Sequence, residues 1–275
     1  MRKVTLVLLA LGLVVATAAF ASNPVRISQV YGAGGNTYKC DYVELFNSSN
    51  APVNIGGWSV QYGSATGSSF GSSTYNYALI PAGATIPACG YYLITGACST
   101  AGGNLPLTPD LTIPGGGIGW QFNFSATSGK VALFNDQVFN RSCAQAQAVA
   151  IDIVGYGGAN CYETAPAVAG DNFSALVRAG AGMVDTDNNS SDISKVAQPV
   201  TIHNSSSPPN PDCVPPIGAC CLRNTTPGAC IVVTAAQCQA QGGIFIGIGS
   251  TCQPNPPCVV PSKPTTWGKV KTIYR

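Results

Sequence analysis

Twelve cysteines, one histidine and eleven carboxylates are the residues of this 275-residue chain best equipped for chemistry. Asp185, Asp187 and Asn189 stand at alternate positions, and Asp192 follows three further on. Alternating oxygen ligands suit Ca²⁺, which takes about six to eight of them. The turn glycine and closing glutamate of a hand-type loop are missing, and the same side chains can cap local backbone as Asx turns. The sequence therefore requires no cofactor, and Ca²⁺ on these four residues is the one to test. Glu44 and Asp152 fall mid-strand among apolar residues, where burial would raise a carboxyl pKa. A solvated sheet face, or a bond to a neighbouring strand, is the plainer reading. No two carboxylates can be paired across a cleft, so a glycosidase has no support. His203 sits beside a proline-rich stretch, where no third group would orient it as a triad base. There is no G-x-S-x-G elbow. Gly32-Ala33-Gly34-Gly35 follows a strand without the lysine or helix start of a phosphate loop.

Charge narrows the field further. Only 9% of residues are charged, against roughly a quarter in ordinary globular chains. Arg2 and Lys3 precede an apolar run that ends in Ala19-Phe20-Ala21. This is a secretory signal over residues 1–21, and no membrane-spanning segment is left after its cleavage. Its removal leaves 11 basic against 11 acidic residues. Lys263, Lys269, Lys271 and Arg275 lie in the tail 259–275, which carries +4 and leaves the body at −4. Without a basic stripe interleaved with aromatics, no nucleic acid is expected as a partner. A helical tail would set Trp267, Val270 and Tyr274 on one face, with Lys269, Lys271 and Arg275 around it. That pattern suits envelope association through the tail, or a sorting signal.

In an oxidising compartment the cysteines read as disulfides before they read as zinc ligands. Cys220, Cys221, Cys230, Cys238, Cys252 and Cys258 crowd together and can form three bridges among themselves. Cys40, Cys89, Cys98, Cys143 and Cys161 are odd in number, so Cys213 completes that set. Proximity along the chain suggests Cys89–Cys98 and Cys143–Cys161.

The elements that must position these residues are short strands. They fall near 25–31, 41–46, 53–62, 75–80, 91–95, 119–124, 130–134, 149–156 and 175–178, separated by Gly, Pro, Asn and Ser clusters. Strands at this spacing read as an antiparallel sandwich or barrel. Trp58, Leu93, Trp120, Leu133 and Phe134 are the expected core. The loops 63–74 and 95–117 are long for a compact domain and are the natural places for binding. Residues 205–217 read as an extended Pro/Ser-rich linker, dividing a domain over 22–204 from a cysteine-rich module over 218–258. In that module Thr234-Ala-Ala-Gln237 forms a capping box for a short helix. So small a piece needs its disulfides to fold.

The order of VRISQVYGAGG (25–35), DYVELFN (41–47), VNIGGWSVQY (53–62), IPAG (80–83), GYYLI (90–94), GKVALF (129–134), AIDIVGYG (150–157), ALVRA (175–179) and DTDNNSSD (185–192) resembles bacterial lamin tail domains over about 25–195. The resemblance implies an all-β, immunoglobulin-like antiparallel β-sandwich, here followed by the small disulfide-rich module. It also implies an exported or surface setting, a binding or attachment role, and no catalytic residues to carry over. The module looks like short Cys-rich repeats of secreted bacterial proteins. The expected function is a secreted or cell-surface, non-catalytic binding protein whose partner is an unknown surface component or protein. The alternatives are a component of a secreted metal-dependent hydrolase, and a structural envelope component held by its tail.

Overall fold

A computed structural model describes residues 23–32, 37–73, 76–113, 122–213, 217–222, 229–253 and 258. The segment 1–21 expected as a signal, residues 33–36 of the glycine-rich run, Trp120 and the tail with Trp267, Lys269, Lys271 and Arg275 lie outside the described residues.

Two sheets face each other. The larger contains β1 (Val25–Tyr31), β2 (Cys40–Asn47), β8 (Tyr91–Cys98), β9 (Leu111–Thr112), β13 (Ser174–Arg178) and β14 (Ile193–Ala197), in the order β14-β13-β1-β2-β8-β9. The smaller contains β4 (Ser59–Ser64), β6 (Tyr77–Leu79), β10 (Gly129–Phe134) and β12 (Asp152–Tyr156), in the order β12-β10-β4-β6. All pairs are antiparallel except the short β8–β9 pair. Two small ribbons complete the domain: β3 (Val53–Asn54) with β7 (Thr85–Ile86), and β5 (Ser69–Phe70) with β11 (Arg141–Ser142). The run expected as one strand over 53–62 breaks at Gly56-Gly57, where Gly57 takes φ +83°. Only glycine adopts that conformation readily.

Val43, Leu45, Val60, Ile94, Val131 and Leu133 meet between the sheets and are almost wholly excluded from water. Leu133 joins this core and Trp58 packs half-buried against it. Leu93 faces the other way, into a second cluster with Tyr31, Tyr42 and Ile202, and Phe134 lies in a third with Phe70 and Cys161. Every residue of β2 is therefore buried. The alternation of Tyr42, Glu44 and Phe46 against Val43 and Leu45 separates two covered faces, and neither is solvated.

The cover is the segment after β14. Gln198 Nε2 donates to Tyr42 Oη at 3.1 Å, and His203 N–H donates to Glu44 Oε2 at 2.6 Å. Ser205 N–H donates to Asp110 Oδ2 at 2.9 Å, and Asn210 N–H to the Cys89 carbonyl at 2.8 Å. Cys213 is bonded to Cys89. Residues 205–213, within the stretch 205–217 expected as an extended linker, are thus a strap fastened across the sandwich.

The strap also corrects the disulfide map. Cys89 pairs with Cys213 and not with Cys98, and Cys98 pairs with Cys40, its register partner across β2 and β8. Strand pairing brought together cysteines 58 positions apart, and separation along the chain was a poor guide. Cys143 is bonded to Cys161. No cysteine is free.

Helix α1 (Cys143–Val149), missed in the strand pattern, starts at a Ser142/Gln145 capping box. A one-turn helix, α2 (Asn189–Asp192), precedes β14. The module holds β15 (Ile217–Cys221), β16 (Cys230–Thr234), α3 (Ala235–Ala240) and β17 (Ile244–Phe245), in the sheet order β16-β15-β17. Thr234 Oγ1 accepts from Gln237 N–H, and Gln237 Oε1 accepts from Thr234 N–H. The three bridges are Cys220–Cys238, Cys221–Cys258 and Cys230–Cys252. A Cβ on Gly243 would sit 2.4 Å from Cys220 Sγ, so only glycine lets the chain pass that bridge.

Candidate functional site

The ionisable groups of the sandwich converge where its two sheets meet at one edge. Arg178 ends β13 and is fully buried. Its Nε donates to the Ile27 carbonyl at 2.8 Å, and its Nη2 donates to both oxygens of Asp152 at 2.8 Å. Its Nη1 donates to Asp185 Oδ1 at 2.9 Å and reaches Asp192 Oδ2 at 3.5 Å. Asp152 Oδ2 also accepts from Ile27 N–H at 2.6 Å. Because Asp152 lies on β12 and Ile27 on β1, this bidentate pair ties the two sheets together. Burial pushes the Asp152 carboxyl up, against the opposing pull of Arg178. Three donors converging on one carboxyl group suit only its ionised form. Burial also works against the Arg178 charge, but Asp152 and Asp185 offset it and hold the guanidinium above its ordinary pKa.

Glu163 stands next to this pair. Its Oε1 accepts from Ile153 N–H at 3.0 Å and its Oε2 from Asn189 Nδ2 at 3.0 Å. Asn189 Oδ1 accepts from Gly155 N–H at 2.9 Å, and its Nδ2 donates to the Ile153 carbonyl at 2.8 Å. Together the two side chains take three ladder groups that the outer edge of β12 would otherwise leave open, and Ala167 N–H takes the Gly155 carbonyl. Gly155 permits the close approach, since a Cβ there would lie 2.2 Å from the Cys161 carbonyl oxygen. Burial, then the charge of Asp152, raises the Glu163 carboxyl to about 8.

Glu163 borders an open cleft of about 320 Å³, lined also by Gln147, Ile151, Tyr162, Thr164 and Asp187. Thr164 and Asp187 take φ of +54° and +55° there. A β-branched residue in that region is a conformational outlier, of the kind that clusters at ligand sites.

The four residues expected to ligate Ca²⁺ part company in the structure. Asp185 and Asp192 turn to Arg178, Asn189 caps β12, and Asp187 faces the cleft. Asp192 also accepts from Thr186 N–H and Thr186 Oγ1, both at 2.7 Å, the Asx-type capping weighed against Ca²⁺. A different trio, Asp152, Glu163 and Asp185, places one oxygen each within 4.8 Å of the others. That set could hold a cation, but the Arg178 guanidinium already supplies positive charge to two of the three. Sequence reasoning missed Arg178 and Glu163. The available signal was an arginine closing the apolar run ALVR opposite an acid within the strand IDIVGY.

Glu44 and His203 form a second centre. Glu44 is fully buried, and neither of its oxygens faces water. Oε1 accepts from Ser28 Oγ at 2.7 Å and Gln29 Nε2 at 3.2 Å. Oε2 accepts from His203 N–H and lies 3.2 Å from His203 Nδ1. A carboxylate accepts only, so this contact places the imidazole proton on Nδ1. The His203 ring stacks on Tyr91 at 4.1 Å. The histidine expected to be loose is held on three sides, and its ordering acid binds the strap's backbone as well.

The two long loops differ. Within 63–74, the Gly67 carbonyl and Asn160 Oδ1 take buried Lys130 Nζ, so this loop is pinned. The described part of 95–117 borders a smaller opening of about 210 Å³, beside Lys39, Thr95, Asn104, Leu105, Leu107 and the Cys40–Cys98 bridge.

A profile described as Lamin Tail Domain matches residues 18–158, just over half the chain. The chain belongs to the lamin tail domain family. Its two facing sheets are the immunoglobulin-like sandwich of that family. The matched span holds β1 to β12 and includes Glu44 and Asp152, but Arg178, Glu163 and the strap lie beyond it. No curated protein matches this lamin tail domain chain. Among solved structures, it is similar to a DUF4876 family protein from Bacteroides thetaiotaomicron, with 12% identity and a TM-score of 0.46, covering 68% of this chain and 75% of that one.

Proposed function

We propose that this lamin tail domain protein is a secreted or cell-surface binding and attachment protein without catalytic activity. The observation that carries the proposal is the saturation of its buried carboxylates. Asp152, Asp192 and Glu44 spend their oxygens on backbone, arginine, hydroxyl or amide donors of the same chain, Asp41 accepts from Phe124 N–H, and the half-buried Glu163 accepts from Ile153 N–H and Asn189 Nδ2. An acid or base that turns over substrate needs an oxygen free to meet it. Six disulfides fit an oxidising compartment. No helix among the described residues is long and apolar enough to cross a membrane.

A hydrolase reading has one observation in its favour: the raised pKa of Glu163 beside an open cleft. Assays of the mature chain with divalent metal, on nucleic acid, ester, peptide and glycan substrates, separate the two. The binding reading expects no turnover above that of Asp152→Asn. Turnover that Glu163→Gln abolishes in a folded protein overturns it.

A further inference from the structure

The three disulfides of the sandwich differ in setting. Cys89–Cys213 and Cys143–Cys161 each join segments outside the two main sheets. Cys40–Cys98 lies within one sheet: Cys40 opens β2, Cys98 closes β8, and the two are register partners. Just past them the Ser99 N–H donates to the Lys39 carbonyl at 2.7 Å. Cys40 and Cys98 are therefore an opposed pair without ladder bonds of its own. Such pairs bring their Cα atoms closest, to about 4.5 Å in a regular sheet. Here the separation is 3.9 Å, against 5.4 and 5.5 Å at the other two bridges. Disulfides usually span roughly 4.4–6.8 Å between Cα atoms, and those held outside that range are more easily reduced. The pairing of β2 with β8 imposes the short distance, so the fold itself holds this bridge at a disadvantage.

Access follows the same division. Cys89 and Cys161 are sealed at 1% exposure, and their partners Cys213 and Cys143 are half-buried. Cys98 is the one exposed cysteine of the sandwich. It borders the opening of about 210 Å³ together with Cys40 and Lys39. Thiol–disulfide exchange needs a sulfur that a thiolate can reach, and a nearby ammonium favours thiolates. Cys98 also begins the long loop that leads to β9, so its bridge fixes the start of that loop to β2.

We propose that Cys40–Cys98 is a thiol–disulfide exchange site, opened by an external dithiol while the other sandwich bridges stay closed, and that its opening frees the start of the loop after β8. A thiolate of the dithiol attacks Cys98 Sγ. The bond to Cys40 breaks, and Cys40 leaves as a thiolate. The second thiol then attacks the dithiol's own sulfur in the mixed disulfide and expels Cys98. The dithiol ends as a disulfide, and its electron pair and both its protons pass to Cys40 and Cys98.

Timed exposure of the native, disulfide-bonded residues 22–275 to dithiothreitol tests it, with free thiols trapped by N-ethylmaleimide and located by peptide mass mapping. Cys40 and Cys98 should be labelled at least about tenfold faster than Cys89, Cys213, Cys143 and Cys161. Labelling of either other pair first, or of all three pairs at one rate, overturns the proposal. Hydrogen exchange reads the second half. Residues 99–105 should exchange severalfold faster once Cys40 and Cys98 alone are reduced. The double variant Cys40→Ser, Cys98→Ser should show the same change without reductant. Unchanged exchange over 99–105 in both samples overturns the release of the loop. None of these results depends on the attachment reading, which the hydrolysis assays judge separately.

Discussion

In the sandwich, Leu45, Val60, Ile94 and Leu133 reach zero exposure, and charged groups such as Arg178 and Glu44 are drawn inside with them. In the module, Ile217, Val232 and Ile246 stay in contact with water, and no charged residue is described. The sandwich has enough chain to close two sheets over a core and to satisfy the charges it buries. The module has three short strands and one short helix, so its stability has to come from three covalent bridges. The lesson is that burial and cross-linking leave different surfaces. A domain closed by burial hides its apolar residues and commits its acids. A module closed by disulfides can leave an apolar face available for binding.

The largest expected effect comes from breaking the charge pair that the sandwich buries. Arg178→Met strands Asp152 and Asp192 in the interior, and should cost roughly 3–5 kcal/mol in denaturant unfolding. A loss below about 1 kcal/mol would mean that the pair does not staple the sheets.

Next comes one covalent bridge within the sandwich. Replacing both Cys143 and Cys161 by Ala opens a loop of sequence separation 18, and should cost about 3 kcal/mol. The same change at Cys220 and Cys238, also 18 apart, should instead abolish the module's structure. Equal outcomes at the two sites would erase the contrast.

A pH series sharpens the comparison at Glu163. Its folded pKa of about 8 lies above the ordinary 4.5, so the folded state holds a proton that the unfolded state releases. The stability it contributes is complete below about 4.5 and is lost as pH rises through about 8, at up to ~1.4 kcal/mol per pH unit. Glu163→Gln should flatten that slope. An unchanged slope would assign the pH dependence to another group. The smallest effect is expected at the exposed Lys195–Asp171 pair, 3.1 Å apart. There Lys195→Ala should stay within about 0.5 kcal/mol.

The class of the fold was legible because strand alternation and turn residues are local signals. The Thr234 capping box was legible for the same reason. What escaped was long-range. Asp152 reads as a solvated acid or as one bonded to a neighbouring strand, and only Arg178 and Ile27, arriving from other strands, decide for the second. Glu163 lies between Cys161 and Pro166 with no pattern around it, and its meaning depends on the edge of β12. His203 looked loose because Pro208 and Pro209 follow it, while the Cys89–Cys213 bridge that ties the strap down spans 124 residues. The Asp185–Asp192 loop has ligand spacing, but two of its four side chains, Asp185 and Asp192, turn to Arg178 from another strand. In each case a distant partner changed what the local sequence meant.

Hydrogen exchange of residues 22–275, read region by region before and after full reduction, tests the contrast between the two regions most directly. Burial predicts that β1, β2, β4, β8 and β10 keep most of their protection when the disulfides are reduced, while residues 217–222 and 229–253 lose theirs. Loss of protection in both regions together would contradict the account.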